Sequence, residues 1–400
     1  MRSVETVTSI GRRLRYAQIG GGRDAFIGAI HRRAAALDGF VELTAGALSG
    51  TADKAIASAR DLLLPPERSY ASWQDLVEAE RARPADERID FVSIVTPNHM
   101  HFEPALACVE AGFHVVIDKP MVHDSTQAER LGRAVAEHGT VFAVTYNYTG
   151  YPMVKEARHQ IAQGRLGAIR RVVVEYAQGW LSQPIDAEGH KQAEWRTDPA
   201  RAGIAGALGD IGTHCESLVS YVTGLEIREL SADLATFVPG RRLDDDVSVL
   251  LRFASGDGSA AREDPRGVLW VSQVAAGAKN RLTLRVYGTE GGLLWDQEDP
   301  DRLLFLDPGG DATIARAGDP GLCAEAARAT HLFPGAPEGF LGAFANIYAN
   351  AADTMRARLA GREPTELELD FPGVADGARG VRFMERVVEN AAGTAKWSPF

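Results

Sequence analysis

A glycine-rich turn near the start of the chain constrains the fold more than any other segment. The apolar run at 14–19 predicts a short strand, and the sequence GGGRDA follows it directly at positions 20–25. Residues 26–30 then have the apolar character of a helix start. This order matches the G-x-G-x-x-G/A fingerprint of dinucleotide-binding folds, with Gly20, Gly22 and Ala25 at the small positions. The alternative is a glycine-rich turn that binds no ligand.

Strand-like and helix-like segments alternate up to about residue 147. Strands are predicted at 41–48, 89–96, 115–117 and 141–146, and helices at 102–111 and 125–138. Parallel strands need long crossover connections, usually helices, so this alternation predicts an α/β fold with a doubly wound parallel sheet.

The pattern changes beyond residue 147. Strand-like runs at 169–176, 229–238, 247–254, 268–275 and 282–286 are joined mostly by turns, and helices are predicted at 210–223, 339–359 and 376–390. This succession predicts an α+β domain with a largely antiparallel, open sheet. A single core rarely exceeds about 300 residues, so a chain of 400 residues should hold two domains. We predict an N-terminal extension at 1–13, a dinucleotide-binding Rossmann domain at 14–147 and a substrate-binding and oligomerisation domain at 148–400.

Composition excludes several classes of function. A formal net charge of −11 argues against a nucleic-acid partner, which needs clustered basic residues. No apolar run approaches the roughly 18 residues that span a bilayer, and the first residues lack the apolar core of a signal peptide. Cys108, Cys215 and Cys323 are few and far apart, which indicates a reducing, cytoplasmic compartment without disulfides. They also lack zinc-ligand spacing, so no metal site is expected.

The strand predicted at 115–117 ends abruptly in Asp118-Lys119-Pro120. Proline has no backbone N–H to donate, so the ladder stops there and Lys119 lies at the carboxyl end of the strand. Ligands of open parallel sheets bind outside these carboxyl ends. Lys119 is therefore a candidate site residue.

A second group of candidates opens the helix predicted at 210–223. Asp210 and His214 are four residues apart, so their side chains are neighbours on one helix face. The alternative interpretation is an N-terminal acid and an ordinary buried histidine. Hydride transfer from a carbinol needs a base for the hydroxyl proton and a cation to polarise the oxygen, and a histidine and a lysine suit these tasks at neutral pH.

The end of the second predicted strand leaves the type of dinucleotide open. An NAD site commonly has an acid there to bind the ribose 2′-hydroxyl, but the chain has Ser49 and Thr51, followed by Lys54. Their hydroxyl and ammonium groups suit a 2′-phosphate, so NADP is at least as plausible as NAD.

Taken together, these motifs resemble the Gfo/Idh/MocA family, named after glucose-fructose oxidoreductase, inositol dehydrogenase and a rhizopine catabolism protein. The shared motifs are the glycine turn, TPN at 96–98 with His101, DKP at 118–120 in place of the usual EKP, and GDIGTH at 209–214. The resemblance implies an NAD(P)-dependent dehydrogenase or reductase acting on a hydroxyl-bearing carbon of a sugar, inositol or related polyol. It also implies a homodimer or homotetramer formed through the C-terminal sheet.

The resemblance implies catalytic roles for Lys119, Asp210 and His214. The residues expected along the cofactor are Gly20, Gly22, Arg23, Ala25, Ser49, Thr51, Lys54, Thr96, Asn98, His101, Asp118, Lys119 and Asn147. Those expected at the substrate are Lys119, Trp180, Lys191, Trp195, Arg196, Asp210 and His214. For the loop that carries Trp180 to Arg196, an ordinary surface loop is an equal alternative.

Two other functions fit the same motifs. One is an NAD-dependent glycoside hydrolase that oxidises the sugar transiently, and the other is a non-catalytic sensor of dinucleotide and sugar. The acidic run Asp244-Asp245-Asp246 lacks the spacing and glycine of a calcium loop and is expected to be a solvated turn.

Overall fold

The computed structural model describes residues 10–254 and 264–400, so most of the predicted N-terminal extension lies outside the described residues. The chain divides into two compact units. The first contains Met1–Gly150 and Phe340–Ala378, and the second contains Tyr151–Gly339 and Arg379–Phe400. The first division falls close to the predicted boundary at 147. Residues 340–378 differ from the prediction, because they group with the first unit.

Five parallel strands form the centre of the first unit, in the order β2-β1-β3-β4-β5. The strands are β1 (Leu14–Gly20), β2 (Val41–Ala47), β3 (Phe91–Val95), β4 (His114–Ile117) and β5 (Phe142–Val144). All residues of β3 and β5 are buried, as expected for strands covered on both faces. The predicted doubly wound parallel sheet is confirmed.

Helices connect these strands. They are α1 (Ile27–Ala36), α2 (Ala52–Asp61), α3 (Trp73–Ala82), α4 (Phe102–Glu110) and α5 (Ser125–His138). Local signals set the bounds of α5, since the Asp124 side chain accepts a hydrogen bond from the backbone N–H of Gln127, and Gly139 ends the helix with φ 60°. Short 3₁₀ turns occupy Pro66–Arg68, Asn98–Met100 and Asn147–Gly150.

A helix from the later part of the sequence also supplies core to this unit. Residues Phe344, Ile347, Tyr348, Ala351 and Met355 are buried in one cluster with residues of the parallel strands. They share one face of α11 (Phe340–Leu359), a helix of 20 residues. The parallel sheet is therefore completed by a helix nearly two hundred residues away in sequence.

The second unit is built on a nine-stranded sheet in the order β13-β12-β11-β10-β6-β9-β8-β7-β14. Its strands are β6 (Ile169–Ala177), β7 (Ile227–Ala235), β8 (Asp246–Phe253), β9 (Arg266–Ser272), β10 (Arg281–Gly288), β11 (Gly292–Asp296), β12 (Arg302–Leu306), β13 (Ala312–Arg316) and β14 (Ser398–Pro399). Within the described residues, β6 and β9 are the only neighbours in this sheet that pair in parallel, and all other neighbouring strands pair antiparallel. The predicted class, a largely antiparallel sheet, is confirmed.

The remaining helices are α6 (Pro152–Ala162), α7 (Lys191–Arg196), α8 (Pro199–Ala202), α9 (Thr213–Thr223), α10 (Ala324–Ala329), α11 (Phe340–Leu359) and α12 (Val374–Ala392). Strand residues alternate between a buried face and a partly exposed one; Leu282 and Leu284 of β10 are buried, whereas Thr283 and Arg285 lie on the other face. Within the described ranges, the chain has no helix of the length and hydrophobicity needed to span a membrane.

Candidate active site

The glycine turn packs closely against its surroundings. Gly20 has φ 82°, and a Cβ there would lie 3.1 Å from the backbone nitrogen of Thr96. The backbone N–H of Gly22 donates to the carbonyl of Leu48 over 2.9 Å, and a Cβ on Gly22 would lie 2.5 Å from Ser58 Oγ. These contacts leave no space for side chains at Gly20 and Gly22, so no side chain of the turn stands between its backbone and a ligand.

The helix after the turn begins later than the fingerprint predicted. Ala25 still lies in the loop, where its N–H donates to the carbonyl of Gly22, and α1 begins at Ile27. A Cβ on Gly28 would lie 2.4 Å from Gly21 Cα. The close packing of helix on turn, which the sequence analysis gave to Ala25, therefore belongs to Gly28.

Two ion pairs flank the glycine turn. Arg23 contacts Asp61 over 2.6 Å, and Lys54 contacts Asp24 over 2.7 Å. Asp24 has φ 62°, an uncommon conformation for a residue with a side chain. Ser49 and Thr51 lie in the same region, at the end of β2 and before α2, and Thr51 makes no side-chain cap. Lys54, the basic group predicted to lie near a 2′-phosphate, is thus engaged by a carboxylate, and so is Arg23.

The ends of β3 and β4 are tied together by His101. Its ring is fully buried, with Nε2 2.9 Å from the carbonyl of Thr96 and Nδ1 2.8 Å from the carbonyl of Pro120. Burial lowers the pKa of His101. Asn98 is buried in the turn between these residues. His101 is therefore a structural link beneath the predicted cofactor path.

Asp118 and Lys119 follow β4 as predicted. Asp118 Oδ1 accepts hydrogen bonds from the backbone N–H of Lys119 at 2.9 Å and from Thr145 Oγ1 at 3.1 Å. The Lys119 side chain is half-buried. Asn147 follows β5, is 2% exposed, and its Nδ2 has no hydrogen-bond partner within residues 10–254 and 264–400. The buried amide donor of Asn147 and the glycine turn without side chains together fit a bound nicotinamide dinucleotide, which would offer the amide an acceptor.

In the second unit, Asp210 lies in a π-helical turn, Leu208–Gly212, that runs directly into α9. Its Oδ2 accepts hydrogen bonds from Gln273 Nε2 at 2.8 Å and Arg196 Nε at 3.2 Å. His214 is buried, with its ring centroid 6.4 Å from that of Tyr176. Single π-turns are frequent at functional sites, and this one places an acid beside two donors that hold its orientation.

Aromatic rings and amides lie beside the two side chains, Arg196 and Gln273, that bind this carboxylate. The Arg196 guanidinium lies 4.2 Å from the ring centroid of Trp195 and 5.8 Å from that of Trp180. Trp180 Nε1 donates to Gln178 Oε1 over 3.0 Å, and Gln273 also contacts that oxygen. The structure thus brings together Trp180, Trp195, Arg196 and Asp210, whereas Lys191 is exposed at the start of α7.

Asp244 supports the site helix from the neighbouring strand region. Its two carboxylate oxygens accept hydrogen bonds from the backbone N–H groups of Gly206 and Leu208, both at 2.7 Å. Asp245 is also buried and accepts from the N–H groups of Phe237 and Val238. The prediction of a solvated turn was wrong for these two acids, which satisfy backbone donors that would otherwise be orphaned.

Lys119 belongs to the first unit, and Asp210 and His214 belong to the second. Sequence reasoning missed Gly28, Gln273, Gln178 and the support from Asp244. The spacing of the glycines could have indicated Gly28. The roles of Gln273, Gln178 and Asp244 depend on how the strands pair, which the sequence does not reveal.

One group of possible metal ligands lies away from these residues. His159, Cys323 and Glu325 bring their ligand atoms within 4.8 Å of one another. Glu325 contacts Arg158 over 3.8 Å, and Cys323 Sγ accepts from the backbone N–H of Ala326. Cysteine spacing in the sequence gave no indication of this cluster.

Two protein-family models match the chain. The model described as an oxidoreductase family with an NAD-binding Rossmann fold matches residues 14–146, and the model of the GFO/IDH/MocA C-terminal domain matches residues 154–294. The chain belongs to the GFO/IDH/MocA oxidoreductase family. It is an oxidoreductase with an NAD-binding Rossmann domain, as predicted.

Two of the similar proteins match nearly the whole chain, and a third matches about three fifths of it. An uncharacterized oxidoreductase, YfiI, of Bacillus subtilis is 31% identical over 98% of both chains. The levoglucosan dehydrogenase of Pseudarthrobacter phenanthrenivorans is 30% identical over 59% of this chain and 61% of the relative. Among solved structures, an inositol dehydrogenase homolog from Azotobacter vinelandii in complex with NAD⁺ is 33% identical, with a TM-score of 0.91 over 98% of both chains.

Proposed function

We propose that this protein is an NAD(P)-dependent dehydrogenase that oxidises a secondary hydroxyl or anomeric carbon of a sugar, inositol or related polyol. The reverse reaction, reduction of the ketone, uses the same groups. Similar proteins support this substrate class, since one is named levoglucosan dehydrogenase and another was solved with NADH and myo-inositol.

The observation that carries the proposal is the cluster around Asp210. Its carboxylate is held by Gln273 and Arg196, and the rings of Trp180 and Trp195 lie beside the guanidinium. Indole faces stack on sugar rings, and amide and guanidinium groups donate to hydroxyl oxygens. This combination suits a polyhydroxylated ring better than an apolar ligand or a nucleic acid.

We assign the chemical roles as follows. His214 removes the hydroxyl proton as general base, and Asp210 orients the imidazole and stabilises its charged form. Lys119 hydrogen-bonds the substrate oxygen and favours its developing negative charge. A bound nicotinamide would supply the hydride acceptor for this oxidation. Gly20, Gly22 and Asn147 would hold the dinucleotide.

The first experiment is a panel of sugars, inositols and sugar acids, each assayed with NAD⁺ and with NADP⁺ for formation of reduced cofactor. Lys119→Ala is expected to lose about 100-fold or more of kcat, as for other losses of charge stabilisation in a transition state. Its dissociation constant for NAD⁺ should stay nearly unchanged. Lys396→Ala, an exposed lysine near the end of the chain, is the matched control and should keep full activity.

Three outcomes would contradict the proposal. Unchanged turnover in Lys119→Ala would exclude the role of that lysine. Release of an aglycone from a glycoside without net cofactor reduction would identify a hydrolase instead. Binding of dinucleotide and sugar without turnover of any substrate in the panel would identify a sensor.

We also propose a homodimer or homotetramer formed through the nine-stranded sheet. The exposed sheet face carries charged pairs, Arg285 with Glu175 at 2.7 Å and Arg281 with Asp296 at 2.9 Å. Light scattering on the purified protein tests this, and a monomer would refute it. Three separate, buried cysteines support a cytoplasmic location, which fractionation of the source cells would test.

A further inference from the structure

A line of buried polar groups crosses the core of the first unit. Ser93 Oγ on β3 lies 2.7 Å from the Tyr348 hydroxyl on α11, and that hydroxyl lies 2.7 Å from His31 Nδ1 on α1. Ser93, Tyr348 and His31 are 0%, 2% and 1% exposed, respectively. Burying polar groups in an apolar core is costly unless they are hydrogen-bonded. The contacts between these three side chains offset that cost, and the line ends at the far nitrogen of His31.

The far nitrogen of His31 points to the end of β4. His31 Nε2 lies 3.9 Å from Asp118 Oδ2, and no other acceptor within residues 10–254 and 264–400 reaches hydrogen-bond distance of that nitrogen. At 3.9 Å the contact is electrostatic rather than a hydrogen bond. The His31 ring cannot swing away from this contact, because Phe344 packs against it with ring centroids 4.7 Å apart.

One arrangement of protons gives both nitrogens of His31 a favourable neighbour. Burial lowers the pKa of His31 to about 4, so at neutral pH the ring is uncharged and carries a single N–H. The Asp118 carboxylate can only accept, so the N–H belongs on Nε2. Nδ1 then accepts from the Tyr348 hydroxyl, and the tyrosine oxygen accepts from Ser93. In this arrangement each of the two hydroxyls donates to one acceptor.

The other carboxylate oxygen of Asp118 is fixed by the chain itself. Oδ1 accepts from the backbone N–H of Lys119 and from Thr145 Oγ1. The Asp118 side chain is 15% exposed. It is therefore held by its protein contacts and still accessible to a ligand. An acid held in this way presents a preorganised acceptor.

The position of Asp118 in the sheet indicates what it meets. The glycine turn follows β1, and the order β2-β1-β3-β4-β5 places β2 on one side of it and β3 and β4 on the other. A dinucleotide bound across the carboxyl ends has its adenosine half towards β2. Its nicotinamide half therefore extends over β3 and β4, where Asp118 lies.

We propose that His31, backed by Tyr348 and Ser93, is a positioning residue that holds the Asp118 carboxylate for the hydroxyl groups of the ribose next to nicotinamide. His31 itself contacts neither cofactor nor substrate. The inference rests on the dinucleotide-binding part of the proposed function and is independent of the identity of the substrate.

The test compares three ligands that share an adenosine half. ADP lacks the second ribose, ADP-ribose contains it, and NAD⁺ adds the nicotinamide ring. Their dissociation constants are measured by calorimetry on the full chain. His31→Leu and Tyr348→Phe should weaken the binding of ADP-ribose and NAD⁺ by roughly tenfold, because an Asp118 carboxylate that is no longer held in place loses about one hydrogen bond to the ribose. The affinity for ADP should not change.

Two further variants separate positioning from packing. His31→Gln keeps one amide N–H for Asp118 and an amide oxygen for Tyr348, so it should restore most of the affinity that His31→Leu loses. Tyr70→Phe removes another buried hydroxyl of the same unit, one that donates to Glu80 over 2.8 Å. This control should leave the ratio of the ADP and ADP-ribose affinities at the wild-type value.

If His31→Leu lowered the affinity for all three ligands equally, the substitution would have disturbed the unit as a whole, and the inference would be overturned. Unchanged affinity for ADP-ribose and NAD⁺ in that variant would overturn it as well. Failure to find a turned-over substrate would contradict the dehydrogenase but not this result, because the ligands are measured by binding alone.

Discussion

Gly28→Ala adds one methyl group where α1 crosses the glycine turn. The new Cβ would lie 2.4 Å from Gly21 Cα and 2.6 Å from the Gly21 carbonyl oxygen, whereas ordinary contacts begin at 3.4 Å. The turn must therefore move by about 1 Å, and its neighbours are backbone atoms that cannot rotate aside. Overpacking of this kind costs about 1–3 kcal/mol.

We expect this cost to appear chiefly as lost affinity for NAD⁺, since the turn is the part of the unit that can shift. A loss of about 1–3 kcal/mol corresponds to a dissociation constant raised by about fivefold to 140-fold. Alanine also favours the helix by about 1 kcal/mol over glycine, which offsets part of the effect on stability. Calorimetry with NAD⁺ and thermal unfolding without ligand measure the two quantities separately.

Gly132→Ala is the matched control. Gly132 also lies within a helix of the first unit, α5, but a Cβ there would have no atom within 4 Å. This variant should gain about 1 kcal/mol of stability and bind NAD⁺ as the wild type does. A folded Gly28→Ala protein with wild-type affinity for NAD⁺ would refute the assignment of Gly28 to the fingerprint.

The remaining predictions concern charge and pH. Asp24→Asn should raise the preference for NADP⁺ over NAD⁺ about fivefold by releasing Lys54 from its 2.7 Å ion pair; an unchanged ratio of kcat/KM values would contradict this. Burial lowers the pKa of His31 from 6.5 to about 4, so on acidification the imidazole is protonated in the unfolded chain before it is protonated in the folded one. The free energy of unfolding is therefore highest above pH 6.5 and decreases as the pH falls towards 4. Urea unfolding should show up to about 3 kcal/mol more loss over this window in the wild type than in His31→Gln, and equal losses would refute the shift. Asp244→Ala should lower the free energy of unfolding by about 2 kcal/mol, because two N–H donors lose a charged partner, and it should also lower kcat through Asp210; a stable, fully active variant would exclude this support.

Local signals in the sequence were sufficient for much of the first unit. Helix α5 has the predicted bounds because Asp124 caps it and Gly139 stops it. The start of α1 was harder to predict from the sequence, since Phe26 precedes it without a side-chain cap and already has helical backbone angles. Without a capping residue, the fingerprint alone could not distinguish Ala25 from Gly28.

Contacts between distant strands were beyond sequence reasoning. Gln273 follows β9, and its reach to Asp210 depends on how that strand pairs with its neighbours. Asp244 stands in a run of three acids, which resembles a solvated turn because charge normally indicates exposure. Its burial is explained only by the backbone donors of Gly206 and Leu208, which no spacing rule relates to it.

The return of residues 340–378 to the first unit has a consequence for biosynthesis. When a ribosome has made residues 1–150, the parallel sheet has all its strands but lacks α11, whose Phe344, Tyr348 and Met355 fill its core. Contacts across such a long sequence separation form slowly. The apolar surface of the nascent sheet therefore stays uncovered until most of the second unit has been synthesised. During this interval, chaperone binding and aggregation compete with folding.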